Sequence, residues 1–399
     1  MRLTVSNRCQ HIAPSLTLSI DATAKAMKAA GEDVVGFGAG EPDFATPEHI
    51  VKAAKEALDL GMTRYTPSSG TMELREAVCD KLLRDNGLLY EPADVIVSGG
   101  AKHSLFNIFQ AILDPGDEVL IPTPCWVSYP EMVRMAGGVP VFVPTDEAEA
   151  FIPAYEEIAS RINRRTKAFV LTSPSNPCGC VWSRGQLQAL ADLCVDRKLF
   201  VVSDEIYEKL LYDQNKHTSI AQLGDQIKKQ TIVVNGVSKA FAMTGWRIGY
   251  AAGPREVISA MGAFQSQATS NANAMAQHAA AVALNSDQTC VCEMVQQFEK
   301  RRDALCARIN SIPGLSCRKP QGAFYVMMNI QHILGRRYER KPVTDSMTFA
   351  DLLLKSKKVA VVPGIAFEAE GYCRLSYATS MDNIRRGLDR IAEFVSELR

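Results

Sequence analysis

Seven short runs rich in β-branched and aromatic residues punctuate the chain between about residue 94 and residue 252: DVIVSGG, DEVLIP, VPVFVP, KAFVLTSP, LFVVSDE, QTIVVNG and RIGYAAG. Helical patterns separate them, and this alternation predicts an α/β fold with a mostly parallel central sheet and helices on both faces. Two runs, VLIP and FVVS, are apolar at successive positions, as strands buried on both faces should be. Residues that follow such strands lie at the carboxyl edge of the sheet, where open α/β folds bind ligands. Beyond about residue 295 the rhythm changes to a charged helix (QQFEKRRDALCARI), a GAFYVMMNI strand, a helix near 347–357, VAVVPG, CRLSYATS and a terminal helix. This reads as a smaller α+β domain. The first 45 or so residues, with a helical stretch around 20–30 and the turn-rich AGEPDFATP, do not follow the large sheet's rhythm. The expected organisation is therefore an N-terminal segment (1–45) joining the small domain, a large ligand-binding domain (46–294) and a small C-terminal domain (295–399). Within the last, QHILGRRYERKPVTDS is expected to be a flexible insertion.

Two domains also suit 399 residues, of which 47% are hydrophobic. Lys plus Arg equals Asp plus Glu at 44 each, so no basic excess exists to hold nucleic acid or an anionic membrane. A small-molecule ligand fits better. Eleven scattered cysteines, including the pairs Cys178/Cys180 and Cys290/Cys292, lack zinc-site spacing and are expected as reduced thiols with no metal. The N-terminus lacks a signal-peptide pattern and no apolar run approaches a membrane span, so a cytoplasmic protein is expected.

The strongest chemical signal is Ser238-Lys239 followed, eight residues after the lysine, by Arg247 at the start of the next strand. One amine can form a Schiff base while a guanidinium holds a nearby dianion, a pair that a pyridoxal phosphate site needs. In SDEIYE, Asp204 ends a buried strand and Tyr207 is expected in the first turn of a helix. A carboxylate beside a pyridine nitrogen keeps it protonated, and a phenol can tune the adjacent imine; an N-cap and a packed aromatic are the plain alternatives. Asn176, in the SPSNPCG turn, can donate to the same heterocycle, although Asn-Pro is also ordinary turn chemistry. VSGGAKHS turns from strand into helix, so the N–H groups of Gly100, Ala101 and Lys102 offer an anion site. Trp126, after another strand, can stack on a planar ring or sit in the core. Arg374, in a small-domain strand, suggests a clamp on a carboxylate, because buried arginine is rare without an anion. Gly40 in AGEPDF offers unobstructed backbone to a carboxylate or is a plain turn residue.

Together AGEPDF, SPSNPCG, SDEIYE, SKAFAMTGWRIGY, GAFYV and RLSYATS, in this order, resemble the fold-type I, class I pyridoxal-phosphate aminotransferases over nearly the whole chain. AKHSLFNIFQAILDPGDEV and WVSYPEMVRMAGG resemble the second (1-beta) subgroup of the bacterial aspartate aminotransferases. The resemblance implies that Lys239 carries pyridoxal 5′-phosphate, Asp204 meets its pyridinium nitrogen, Tyr207 and Asn176 meet its 3′ oxygen, and Trp126 stacks on the ring. It implies a phosphate site of Gly100, Ala101, Ser238 and Arg247 with Tyr65 lent by the neighbouring subunit, hence a homodimer with shared active sites. Arg374, Gly40, Trp126 and Asn176 would take the substrate's α-carboxylate. Residues 256–300 contain no arginine, so the other subgroup's cross-dimer arginine is absent; members of this subgroup use a lysine at the position of Lys102, and the resemblance implies that Lys102 selects a second carboxylate, a solvated helix-start lysine being the plain alternative.

Three departures stand out: Gly236 where many relatives have a phosphate-binding Ser or Thr, Cys178 after Asn-Pro, and Ala13 before Pro14-Ser15. Relatives that also transaminate prephenate carry Lys at the last position, so prephenate activity is not expected. The implied reaction is ping-pong transfer of the amino group of L-aspartate to 2-oxoglutarate through pyridoxamine phosphate, giving oxaloacetate and L-glutamate. The alternatives are aromatic, alanine or prephenate specificity, or a C–S lyase on the same scaffold. A noncatalytic regulator would need an added DNA-binding domain, for which the chain has no residues to spare.

Overall fold

The computed structural model describes residues 4–10 and 12–399. A helix (Leu16–Ala29) leads to strand β1 (Val35–Gly36). The next seven strands are β2 (Val95–Ser98), β3 (Glu118–Thr123), β4 (Val139–Pro144), β5 (Thr166–Thr172), β6 (Phe200–Asp204), β7 (Thr231–Gly236) and β8 (Gly249–Ala252). Each coincides with one of the seven apolar runs. They form one sheet in the order β2-β8-β7-β6-β5-β3-β4. The pairs from β7 to β4 are all parallel, and β8 alone runs antiparallel to both of its neighbours.

Apart from the half-buried edge strand β4, both faces of this sheet are buried, which is why its strands read as continuous apolar runs. Ala168 and Val170 of β5 pack with Leu105, Ile108 and Phe109 of the helix Ala101–Ile112 on one side. Phe169 and Leu171 pack with Leu187 and Leu190 of the helix Arg184–Arg197 on the other. The reversed direction of β8 puts its beginning, not its end, at the carboxyl edge of the other strands, so Arg247 arrives beside residues that follow β2, β5, β6 and β7.

The remaining strands are β9 (Ser316–Cys317), β10 (Tyr325–Asn329), β11 (Arg337–Tyr338), β12 (Lys341–Pro342), β13 (Val359–Ala360), β14 (Val362–Pro363) and β15 (Tyr372–Ser376). β14-β15-β10-β9 form an antiparallel sheet. The N-terminal segment joins this part of the molecule: β1 pairs parallel with β13, and the Ser376 N–H donates to Phe37 O at 2.8 Å. The terminal helix Met381–Ser396 closes over it so tightly that a Cβ on Gly387 would lie 2.4 Å from the Phe37 ring. The expected boundary at 294/295 falls inside one continuous helix, Thr289–Asn310. Its Val291 packs beneath the large sheet, whereas Met294, Phe298, Leu305 and Ile309 belong to the core of the small one.

Two local expectations need correcting. Tyr207 is not in a helix: residues after β6 form successive turns, with Glu208 N–H on Glu205 O and Leu210 N–H on Tyr207 O. QHILGRRYERKPVTDS is not a loose insertion either. It folds as a 3-10 turn (Gln331–Ile333) and the β11/β12 hairpin, pinned by the fully buried Ile333 and Val343 and by paired hydrogen bonds between Arg337 and Arg399. No helix among the described residues is long and apolar enough to cross a membrane.

Candidate active site

The carboxyl edge of the large sheet floors a cavity of about 410 Å³, whose far wall comes from residues 38–41 and from β15. It gathers Lys239, Ser238, Asp204, Tyr207, Asn176, Trp126, Arg247, Ala101, Lys102, Gly40 and Arg374. Of the candidate cofactor- and substrate-binding residues named from the sequence, Gly100 and Tyr65 are not in its lining. Gly100 lies just behind it, and Tyr65 is 92% exposed elsewhere on the surface.

Lys239 sits in the turn that follows β7, and its Nζ donates to Gly40 O at 2.6 Å. Burial, reinforced by the Arg247 and Arg374 charges and opposed by Glu41 and Asp204, lowers its pKa to about 8. An amine that is partly neutral near physiological pH is nucleophilic and can act as a base. Asp204 ends β6. Its Oδ2 accepts from the Tyr129 hydroxyl at 2.7 Å and its Oδ1 from the Ile206 N–H at 3.2 Å. Burial still pushes its pKa up to about 6 despite those donors, so the carboxylate calls for a cation opposite it. The Tyr207 and Tyr325 hydroxyls are 2.9 Å apart.

Two guanidinium groups face the cavity, and neither forms an ion pair with a carboxylate of the described residues. Arg374 is 3% exposed, held between the Tyr325 ring at 4.5 Å and the Phe367 ring at 4.9 Å. It donates to Asn176 Oδ1 at 3.1 Å and Gly38 O at 2.8 Å, and its Nε has no partner among the described residues. Arg247, exposed at the other end, donates to Thr244 O at 2.8 Å and Gly99 O at 3.4 Å. Beside it begins the helix Ala101–Ile112, whose first-turn N–H groups at Ala101 and Lys102 have no intrahelical acceptor. The Gly100 N–H, expected among these donors, is committed to Ser98 O at 2.7 Å. The glycine is needed for a different reason: its φ is 95°, and a Cβ there would lie 2.4 Å from Arg247 Nη2. Lys102 Nζ lies over the Trp126 ring, 4.8 Å from its centroid, with its pKa lowered by burial and then by Arg247.

Gly236, where a serine or threonine was expected from the resemblance, sits opposite Gly249 in the β7/β8 ladder. A Cβ there would be 2.9 Å from both Gly249 Cα and Ile248 O, so this strand pair leaves no room for a side chain. Cys178 is buried in the core behind the site, which accounts for an apolar thiol at that turn.

Several lining residues escaped sequence reasoning. Tyr129 lies three residues past Trp126, in the first turn of the helix Ser128–Met135 that follows β3, which was a usable signal. Tyr325 was visible only as part of GAFYV. Glu41 accepts from the Thr244 hydroxyl at 2.8 Å and helps close the wall between the two sheets. Thr17, Leu18, Asp21 and Lys25 of the N-terminal helix and its N-cap Ser15 add a mostly polar wall.

An amine and a buried carboxylate facing unpaired guanidinium groups, at the carboxyl edge of a mostly parallel α/β sheet, define an aminotransferase of the class I fold. The model of the family "Aminotransferase class I and II" matches residues 32–391, and the chain belongs to that family. It is 47% identical to the aspartate aminotransferase of Bacillus subtilis (strain 168), over 98% of this chain and 99% of that protein. It is also 47% identical to the aspartate/prephenate aminotransferase of Thermus thermophilus, over 97% and 98% of the two chains. The crystal structure of the aspartate aminotransferase from Rhizobium meliloti superposes with a TM-score of 0.96 at 43% identity, covering all of both chains.

Proposed function

We propose that this aminotransferase uses pyridoxal 5′-phosphate to move the amino group of L-aspartate to 2-oxoglutarate in two half-reactions, releasing oxaloacetate and L-glutamate. The observation that carries this reading is the pairing, in one cavity, of a low-pKa Lys239 and a buried Asp204 with two guanidinium groups lacking carboxylate partners. The donor set fits the cofactor. Arg247, Ser238 and the Ala101 N–H, with Gly100 leaving space for the guanidinium, suit a phosphate. Asp204, oriented by Tyr129 and Ile206, suits a pyridinium nitrogen, and Tyr207 and Asn176 suit the 3′ oxygen. Trp126 is the stacking residue. When bound, pyridoxal phosphate supplies the electron sink for charge developing at the substrate's α-carbon.

Lys239 is both the covalent attachment point and, once freed by an amino substrate, the base that takes the α-proton on Nζ; a pKa of about 8 suits that work. Arg374 orients the α-carboxylate with Gly40 backbone, Asn176 and Trp126 around it, and its unpartnered Nε is a donor in waiting. Lys102 meets the second carboxylate, in keeping with relatives named aspartate aminotransferases. Ala13 in place of lysine argues against prephenate as an amino acceptor, although the Thermus relative carries that activity in its name.

Tyr65 of the partner subunit would complete the phosphate site, so the active form is a homodimer with shared sites; the exposure of Tyr65 outside its own cavity supports this. Two domains, divided at about 45/46 and 294/295, and a cytoplasmic location complete the proposal.

Purified protein should show the absorbance band of bound cofactor. Adding L-aspartate alone should convert it to the pyridoxamine form with one equivalent of oxaloacetate. Lys239→Ala should keep the cofactor yet lose that conversion. Normal turnover by the variant would refute the assignment, and faster conversion by L-tyrosine than by L-aspartate would refute the substrate.

A further inference from the structure

Side chains alternate along the turn that follows β6. Asp204 and Tyr207 face the cavity, while Glu205 and Glu208 point into a polar cluster beneath it, buried to 1% and 6% exposure. Glu205 accepts from the Ser203 hydroxyl at 2.9 Å and the Ser219 hydroxyl at 2.6 Å, and meets His217 Nε2 at 3.0 Å. Glu208 is paired with the Lys81 ammonium and accepts from Asn86 Nδ2 at 2.9 Å; Asn86 Oδ1 in turn accepts from Lys81 Nζ at 2.7 Å. Lys81 and Asn86 come from the helix Met72–Asn86 and are themselves buried. Glu205, Glu208 and His217 bring one ligand-type atom each within 4.8 Å of one another, but Lys81 already sits on Glu208, so the chain supplies its own cation.

Two buried carboxylates against one lysine leave a net negative charge unless His217 is protonated. Burial opposes that protonation, yet the Glu205 and Glu208 charges outweigh it and raise the His217 pKa, with Lys81 acting against them. The other groups around this cluster are the neutral phenols of Tyr90 and Tyr250 and, at its rim, Asp85 held by Arg84 and Lys209. The Glu205 charge also raises the proton affinity of Asp204 through the intervening backbone.

We propose that His217 is a positioning residue of the active site: as an imidazolium paired with Glu205 it cancels the carboxylate next to Asp204 and so keeps Asp204 ionised toward the cofactor, while Lys81 and Glu208 anchor the turn that carries Tyr207. The inference rests on the reading that Asp204 meets the cofactor's ring nitrogen.

The test is a spectrophotometric pH titration of the bound cofactor in reconstituted holoenzyme. In H217Q the uncompensated Glu205 charge should move the midpoint upward by about half a unit to one unit. The double variant E205Q/H217Q, in which both charges are gone, should return to within ~0.2 unit of the wild type. A single variant with an unmoved or lowered midpoint, or a double variant displaced by half a unit or more, overturns the proposal. If H217Q does not accumulate in folded form, H217N takes its place in the same titration, with the same upward shift expected and an unmoved or lowered midpoint overturning the proposal. Asp204→Asn in the same titration separates the two levels. A shift there with none in H217Q removes only the role of His217, whereas no shift there removes the reading of Asp204.

Discussion

Arg374→Lys isolates the value of a forked donor at the carboxylate site. The substitution keeps the positive charge but replaces a planar guanidinium, stacked between Tyr325 and Phe367, with a single ammonium. Arg374 spends two donors on Asn176 and Gly38 and has Nε to spare. Lysine cannot serve both protein acceptors and also grip a carboxylate through two parallel bonds. Loss of one charge-assisted hydrogen bond and weakening of another is worth roughly 2–4 kcal/mol in the transition state. At 1.36 kcal/mol per decade, that is a fall of about 30- to 1000-fold in kcat/KM for L-aspartate. The assay is the single-turnover half-reaction, followed by the cofactor's absorbance across aspartate concentrations. A simple primary amine without a carboxylate serves as the control, and its slow reaction with the cofactor should change less than threefold. Leaving Asn176 Oδ1 or Gly38 O without a donor should also destabilise the folded protein by about 1–3 kcal/mol, visible as a lowered Tm. A fall of less than threefold with aspartate, or an equal fall with the carboxylate-free amine, would show that Arg374 does not hold the substrate.

Lys102→Ala should cut kcat/KM for L-aspartate by roughly 10- to 100-fold while leaving L-alanine within threefold, and equal losses for both would remove its selecting role. Asp204→Asn should remove one component of the pH dependence of apoprotein stability. Because the folded pKa of about 6 lies above the usual carboxylate range, the stabilising protonated form is present below pH 4 and is lost as pH rises through 6. By pH 7 the wild-type apoprotein therefore carries a cost of about 3 kcal/mol that the variant lacks, so urea melts should diverge between pH 4 and 7; a gap that does not change with pH contradicts this. Gly236→Ser should lower Tm by an amount equivalent to about 1–3 kcal/mol, since its Cβ meets backbone 2.9 Å away on the neighbouring strand; an unchanged Tm would mean that β7 and β8 separate freely.

The hydrophobic pattern revealed all seven strands of the large sheet because six are buried on both faces and the edge strand β4 is still half-buried, and residues placed after them therefore came to the site by topology alone. It could not show that β8 runs backwards, which is what delivers Arg247. It misled after β6, where EIYEKLL has helix-like apolar spacing: Glu205 and Glu208 look like solvated helix charges but are buried ion-pair members that hold the chain in turns. The charged run 331–346 misled in the opposite sense, since two apolar anchors, Ile333 and Val343, order it.

The same ambiguity governs the arginines, and there it bears on function. Arg302 is fully buried and Arg301 partly so, yet Asp213 and Asp43 satisfy them at 2.7 and 2.6 Å. Arg374 is almost as deeply buried and, among the described residues, meets only two neutral oxygens, one on Gly38, 336 residues away in the chain. Residue type cannot separate these cases, because what matters is the partner each guanidinium lacks. An arginine buried without an acid costs the fold stability unless an anion arrives, and the cavity into which Arg374 faces is open to a substrate that brings one.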